Sequence, residues 1–167
     1  MNSFIKPLFL VIFVTLGVLI ASNRVNGNPN DYMMFVALFD KGNGLEKGQE
    51  YPFHIHENSI KNNDCETAGN HLDPDGFGKD PNYKCDPSRP DKCEVGDLSG
   101  KYGDLIPDDD GNVIKKDYDA FIKLDGSSGV TGRSVVIHLS DANQTRYDCA
   151  NIIVQNHKRK RNLRFLF

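Results

Sequence analysis

Three of the chain's five histidines fall in one stretch, FHIHENSIKNNDCETAGNH, residues 53–71, beside one of its four cysteines. On a strand, residues i and i+2 point to the same face, so His54 and His56 aim together while Phe53 and Ile55 aim the other way. Two imidazoles on one face of a rigid strand make a chelating pair, and imidazole suits copper and zinc. An HxH pair alone also describes a solvated strand face, so its meaning rests on what stands near it. His71 is the nearest further candidate. His157 adjoins a basic run and reads as a solvated residue.

The element that would hold the pair is Tyr51–Glu57, which alternates like a strand. YMMFVALFD at 32–40 is apolar and β-prone, and GNG at 42–44 reads as a turn. Asp109, Asp110 and Gly111 form a DG turn between short strands, the second at Ala120–Leu124. SVVIHL at 134–139 and ANIIV at 150–154 read as two more strands. The acids of Asp108–Asn112 do not have the spacing of an EF-hand loop, so a hairpin turn is the reading there. Residues 58–94 carry many charges, prolines, glycines and asparagines without periodicity, and loops of that length usually serve a function. No stretch sustains a helical period and no internal repeat is visible. The expected fold class is all-β, with antiparallel strands and long loops.

Leu8–Ala21, LFLVIFVTLGVLIA, is a nearly unbroken apolar run, short for a membrane span and of the length of a signal-peptide core. Small residues near Ala21, Ser22 and Gly27 offer cleavage points, so residues 1–27 read as a secretory signal, with an uncleaved anchor as the rival. Residues 28–156 are one domain's worth of chain, and 157–167 form a basic tail. Removing Lys6 and Arg24 with the signal takes the net charge of −3 to −5. The tail's Lys158, Arg159, Lys160, Arg161 and Arg164 then leave a body near −10. Such a balance argues against nucleic-acid binding. The tail could meet an acidic polysaccharide or membrane surface, could be a processing site, or could simply be solvated.

Four cysteines in a secreted chain suggest two disulfides, with three possible pairings. Cys85 and Cys93 are eight apart in an Asp- and Pro-rich segment, where a local staple is natural, leaving Cys65 with Cys149. In the chain-entropy account the long closure stabilises by about 4 kcal/mol and the short one by about 2.5. A four-cysteine zinc site fits poorly with the irregular spacing and the oxidising route.

HIHE is followed by Cys65, then AGNHLDP, VGDLSGKYGDL, GVTGRSVVIH and TRYDCANIIV. In that order and spacing the chain resembles the copper–zinc superoxide dismutase family, with its HVHE-like strand, cysteine, AGxHxNP, HVGDL, GRxxVVH and RxxCGVIG motifs. The resemblance covers roughly residues 32–156 and implies a Greek-key β-sandwich or barrel. It assigns His54, His56, His71 and His138 as copper ligands, with His71 the histidine that would bridge to zinc. Arg146 matches the arginine that attracts the anion, and Cys65–Cys149 the family's intrasubunit disulfide.

The departures carry information. The family's zinc positions here read His71, Lys79, Glu94 and Asp97, so two of four ligands are replaced, one by a cation. A zinc site of ordinary affinity is not expected, and the pattern resembles the copper-only branch. Glu94 or Asp97 would then accept a hydrogen bond from the free nitrogen of His71, as a carboxylate orienting a ligand histidine; the plain alternative is two acids in an exposed loop. Only seven residues separate His138 from Arg146, so the copper should be open to solvent and Arg146 the main local attractor. Asn143-Gln144-Thr145 is a glycosylation sequon in that connection. The β-hairpin that the family places before YMMFVALFD is not expected once the signal is removed, which would leave open edges.

The implied activity is secreted, copper-only superoxide dismutation: superoxide to dioxygen and hydrogen peroxide by Cu(II)/Cu(I) cycling. In it His71 would carry a proton and Arg146 hold the incoming anion. The alternative is a superoxide-dismutase-like protein that binds copper, or a partner, with weak turnover. The oligomeric state is not legible.

Overall fold

The computed structural model describes residues 9–12, 18–22, 33–39 and 44–152. Seven strands run β1 Phe9–Ile12, β2 Val18–Ser22, β3 Met33–Phe39, β4 Phe53–His56, β5 Val113–Asp119, β6 Ser134–His138 and β7 Arg146–Asn151. A single five-residue helix, α1 Leu98–Tyr102, and three short 3-10 turns complete the described elements. The strands form two antiparallel sheets, β1-β2-β3-β5 and β4-β6-β7. β3 pairs with β5 and β4 with β6, so the chain crosses between sheets in the manner of a Greek key.

The core follows from strand alternation. Phe53 and Ile55 of β4, Val135 and Ile137 of β6, Ala150 of β7 and Val113 of β5 are buried in one apolar cluster with Leu45, Tyr51, Leu72, Val95, Leu98, Leu105 and Ile152. All four residues of β4 and all five of β6 are buried. One face of β4 packs into this core, and the other, with His54 and His56, lies beneath the long loop.

That loop is ordered by covalent and hydrogen-bonded ties. Disulfides join Cys65 to Cys149 and Cys85 to Cys93. Ile55 N–H donates to Gly96 O at 2.9 Å, Leu72 N–H to Ile55 O at 2.8 Å and Gly96 N–H to Leu72 O at 2.8 Å, so the returning loop flanks β4. Gly96 is required by this approach: a Cβ there would stand 2.2 Å from Ile55 O. Helix α1 is held against β4 by Phe53 N–H donating to Ser99 Oγ at 2.6 Å.

In the full chain the apolar run forms a hairpin before β3, the one that removal of residues 1–27 would take away: Phe9–Ile12 pairs with Leu19–Ser22, and Val18 and Leu19 pair with Ala37 and Val36. A Val-, Ile- and Leu-rich run reads equally as a signal core or as buried strands, because its hydropathy has no period. Two expected strands fall elsewhere. The strand after the DG turn is Val113–Asp119, not Ala120–Leu124. The turn closes by Gly111 N–H to Asp108 O at 3.0 Å. The strand ends where the Asp119 carboxylate accepts the N–H groups of Phe121 and Ile122 at 2.6 and 2.9 Å. Exposure of Ile114 and Tyr118 on this strand blurs its pattern in the sequence. The last strand, β7, begins at Arg146 rather than Ala150, because polar RYD pairs with β6 directly after the short connection. Residues 42–43 of the GNG turn, residues 153–154 and the tail from His157 lie outside the described residues. Among the described residues no helix is long and apolar enough to cross a membrane.

Candidate metal centre

Register brings the histidines together. His54 pairs with Val136 and His56 with Ser134 across β4 and β6, so these four side chains share a face. His138, two residues beyond Val136, falls on that face at the end of β6, beside a register shift between Ile137 and His138. His71 arrives from the loop through a bridge to His56. Ring centroids are 4.0 Å apart for His54 and His71, 4.8 Å for His54 and His138, and 5.0 Å for His56 and His71.

Hydrogen bonds decide which nitrogen of each ring faces inward. His56 Nδ1–H donates to Gly69 O at 2.9 Å, and His138 Nδ1–H to Gln144 O at 2.6 Å. Both carbonyls can only accept, so the Nε2 atoms carry lone pairs, and these face one another at 3.3 Å. His71 Nδ1–H donates to Glu94 Oε2 at 2.6 Å, which leaves its Nε2 as the free lone pair. His54 Nδ1 is buried with no hydrogen-bond partner. Four ligand atoms, one from each ring, lie within 4.8 Å of one another. Two buried lone pairs in contact and an orphaned ring nitrogen are costly without a cation between them. The donor set is all imidazole, which fits copper or zinc. Among the described residues this is the one group of three or more histidine, cysteine or acidic side chains with metal-binding spacing.

Burial keeps the rings of His54, His56 and His138 neutral. Burial, reinforced by His71, His138 and His56, holds His54 well below its ordinary range. Burial lowers His56 to about 3, and lowers His138 in the same direction. A ligand histidine must be unprotonated to bind, so these shifts favour metal uptake at neutral pH.

The carboxylates divide their tasks. Glu94 meets His71, while Asp97 Oδ1 stands 3.7 Å from His54 Nε2 and accepts Gly100 N–H at 2.7 Å as the cap of α1. Both acids are buried, which removes the reading of two acids in an exposed loop. Because Glu94 occupies His71 Nδ1, that nitrogen does not face a second metal position. Lys79, at the other replaced position, is exposed on the cleft wall.

Arg146 sits beside the cluster. Its Nη1 donates to Cys65 O at 2.5 Å and Nη2 to Gly69 O at 2.6 Å, and its Nε lies 3.6 Å from Glu66 Oε2. Gly69 O thus serves both Arg146 and His56, and Cys65 is fixed by its disulfide to β7. The guanidinium is anchored at the edge of a cleft of about 750 Å³ that His56, His71, His138 and Lys79 also line. Asn143 is exposed on the connection that forms one rim of this cleft. The carbonyl anchors and Tyr83, whose hydroxyl touches both Asp97 and Glu94 N–H, carried no signal in the sequence, since main-chain acceptors and loop contacts have no motif.

A family model described as copper/zinc superoxide dismutase matches residues 25–160. The chain is 35% identical over 106 residues to the cell surface Cu-only superoxide dismutase 5 of Candida albicans, covering 61% of this chain and 41% of that protein. It is 37% identical over 103 residues to a cell surface Cu-only superoxide dismutase of Arthroderma benhamiae, covering 59% of this chain and 26% of that one. The chain therefore spans less than half the length of these relatives. The solved structure of Candida albicans superoxide dismutase 5 in its Cu(II) form superposes with a TM-score of 0.68 at 23% identity, covering 94% of this chain and 97% of that one. This likeness speaks to the fold.

Proposed function

The chain belongs to the copper/zinc superoxide dismutase family, and from that premise we propose that it is a secreted, copper-only superoxide dismutase. The observation that carries the reading is the convergence of four imidazole lone pairs, two of them 3.3 Å apart, beside a tethered arginine at an open cleft.

His54, through Nδ1, and His56, His71 and His138, through Nε2, would hold the copper. When bound, copper would supply the one-electron steps, oxidising one superoxide to dioxygen and reducing a second, which takes up two protons, to hydrogen peroxide. Arg146 binds the incoming anion by charge-assisted hydrogen bonds, in a position stiffened by two carbonyls. His71 is the one ring of the four that is partly open, with its side chain 24% exposed, which supports a role in holding a proton at Nε2. Glu94 keeps Nδ1 of that ring protonated and its plane oriented. Glu94, with Lys79 in place of a neutral ligand, argues against a zinc site. A glycan on Asn143 would stand at the cleft rim.

Residues 1–27 are proposed as the secretory leader, supported by the fourteen-residue apolar run and by relatives named as cell-surface proteins. Cleavage there would remove β1 and β2 and leave β3 as an edge strand. N-terminal sequencing of protein secreted from a eukaryotic host should start near residue 28; a start before Phe9 would contradict the leader. The basic tail is proposed as a contact for acidic polysaccharide or membrane surface, and salt-dependent retention on heparin tests it.

The metal reading is tested by loading the oxidised protein with copper and zinc together. One copper and under about a tenth of a zinc per chain is expected, and His138→Ala should lose tight copper binding. Zinc at one per chain, or unchanged copper in His138→Ala, would overturn the assignment.

A further inference from the structure

Tyr83 lies in the long loop, two residues before the Cys85–Cys93 disulfide. Its hydroxyl donates to Asp97 Oδ2 at 3.1 Å and accepts the Glu94 N–H at 2.8 Å. Glu94 is the partner of His71, and Asp97 faces His54. One phenol therefore joins the two carboxylate residues that meet two of the four imidazoles. Burial holds its proton well above the ordinary tyrosine range, so it is a donor at neutral pH.

The loop has other ties that set its shape. The disulfide closes it, and local turns such as Tyr83 N–H to Asp80 O at 2.9 Å and Arg89 N–H to Asp86 O at 2.8 Å set its backbone. What the hydroxyl sets is where Glu94 begins. On its far side the Glu94 carboxylate is packed against Gly78, where a Cβ would stand 1.8 Å from Oε1. With the N–H pinned by Tyr83 and the carboxylate confined by Gly78, the short contact to His71 Nδ1 has little freedom. Asp97 has its second oxygen committed to Gly100 N–H, so the Tyr83 contact fixes its remaining rotation toward His54.

We propose that Tyr83 is a positioning residue of the metal centre: its hydroxyl ties Glu94 to Asp97, and through them orients the rings of His71 and His54. This rests on the copper-site reading above. Partners of ligand histidines typically change metal affinity about 10–100-fold when removed, and a residue one step further out should fall near the low end of that range.

The test compares Tyr83→Phe, which keeps the ring, with 3-fluorotyrosine at position 83, which keeps the hydroxyl. Two properties are read. In the metal-free protein, the His71 Nδ1–H held by Glu94 should give a slowly exchanging downfield proton signal. In the copper form, the dissociation constant is measured by chelator competition. Tyr83→Phe should broaden or abolish the imidazole signal and raise the copper dissociation constant about 10-fold, and fluorotyrosine should restore both. A Tyr83→Phe protein that keeps the signal and binds copper within twofold of the parent overturns the proposal, even if its urea midpoint falls. Should the parent itself take up no copper, the copper-site reading fails. The proton signal of the metal-free proteins then still decides the Tyr83–Glu94–His71 linkage, for or against.

Discussion

Replacing Lys101 by methionine should destabilise the fold by about 4 kcal/mol. The Lys101 and Asp119 side chains are fully buried and form an ion pair. Lys101 Nζ also donates to Val95 O at 2.9 Å and lies 5.6 and 5.9 Å from the ring centroids of Tyr102 and Phe121. Asp119 in turn accepts two backbone N–H groups at the end of β5. Methionine preserves the aliphatic stem but leaves a buried carboxylate without its cation, which costs about 3–5 kcal/mol. Val95 O loses its donor as well, and that cost of about 1–3 kcal/mol overlaps with the first. Against a total stability of about 5–15 kcal/mol this is a large fraction. With a urea dependence of about 2 kcal/mol/M, the midpoint of the disulfide-intact, metal-free protein should drop by about 2 M. The double variant Lys101→Met, Asp119→Asn removes both charges and keeps the oxygen that caps Phe121 and Ile122, so it should recover at least half of the loss. A single variant that loses less than about 1 kcal/mol, or a double variant that loses the full sum, would refute the idea that the cost is an unpaired buried charge.

Further outcomes follow from the same geometry. His56 titrates near 3 in the fold and near 6.5 in the unfolded chain, so the unfolded chain takes the proton first as pH falls. Stability of the metal-free protein should therefore be lost below pH 6.5, by about 2 kcal/mol at pH 5 from this ring alone; a urea midpoint that is flat between pH 7 and 5 would contradict it. Replacing Cys65 and Cys149 by serine should cost about 4 kcal/mol in urea titrations, since the bridge closes the longer loop. It should also loosen Arg146, whose acceptor is Cys65 O, so azide binding to the copper form should weaken. Lys79 makes no ion pair among the described residues and stands on the cleft wall with Glu57, Glu66 and Asp73. Lys79→Glu should slow superoxide consumption about two- to fourfold at low ionic strength, with the difference closing as salt rises above about 0.15 M.

The parts of the site that were legible in sequence are those governed by strand period. His54 and His56 share a face because they are two apart, and His138 ends a strand whose apolar run is unmistakable. The division of labour between Glu94 and Asp97 was not legible, because it depends on how a loop between Cys85 and α1 is folded. The anchors of Arg146 are carbonyls of Cys65 and Gly69, and any residue offers a carbonyl. In the fold, β3, β4 and β6 declared themselves through apolar or alternating runs. β5 did not, because its outward face carries Ile114 and Tyr118 where polar residues would mark the period. The hairpin β1–β2 was hidden by its own hydropathy, which suits export and sheet burial alike.

The most direct measurement is superoxide decay after pulse radiolysis, on oxidised protein loaded with copper alone and freed of zinc. Catalysed decay is expected, with a rate constant approaching the diffusional ceiling of about 10⁸–10⁹ M⁻¹ s⁻¹, for which superoxide dismutase is itself a standard example. No gain is expected when zinc is added. Decay no faster than with the metal-free protein, or activity that appears only with zinc, would contradict the proposed copper-only activity.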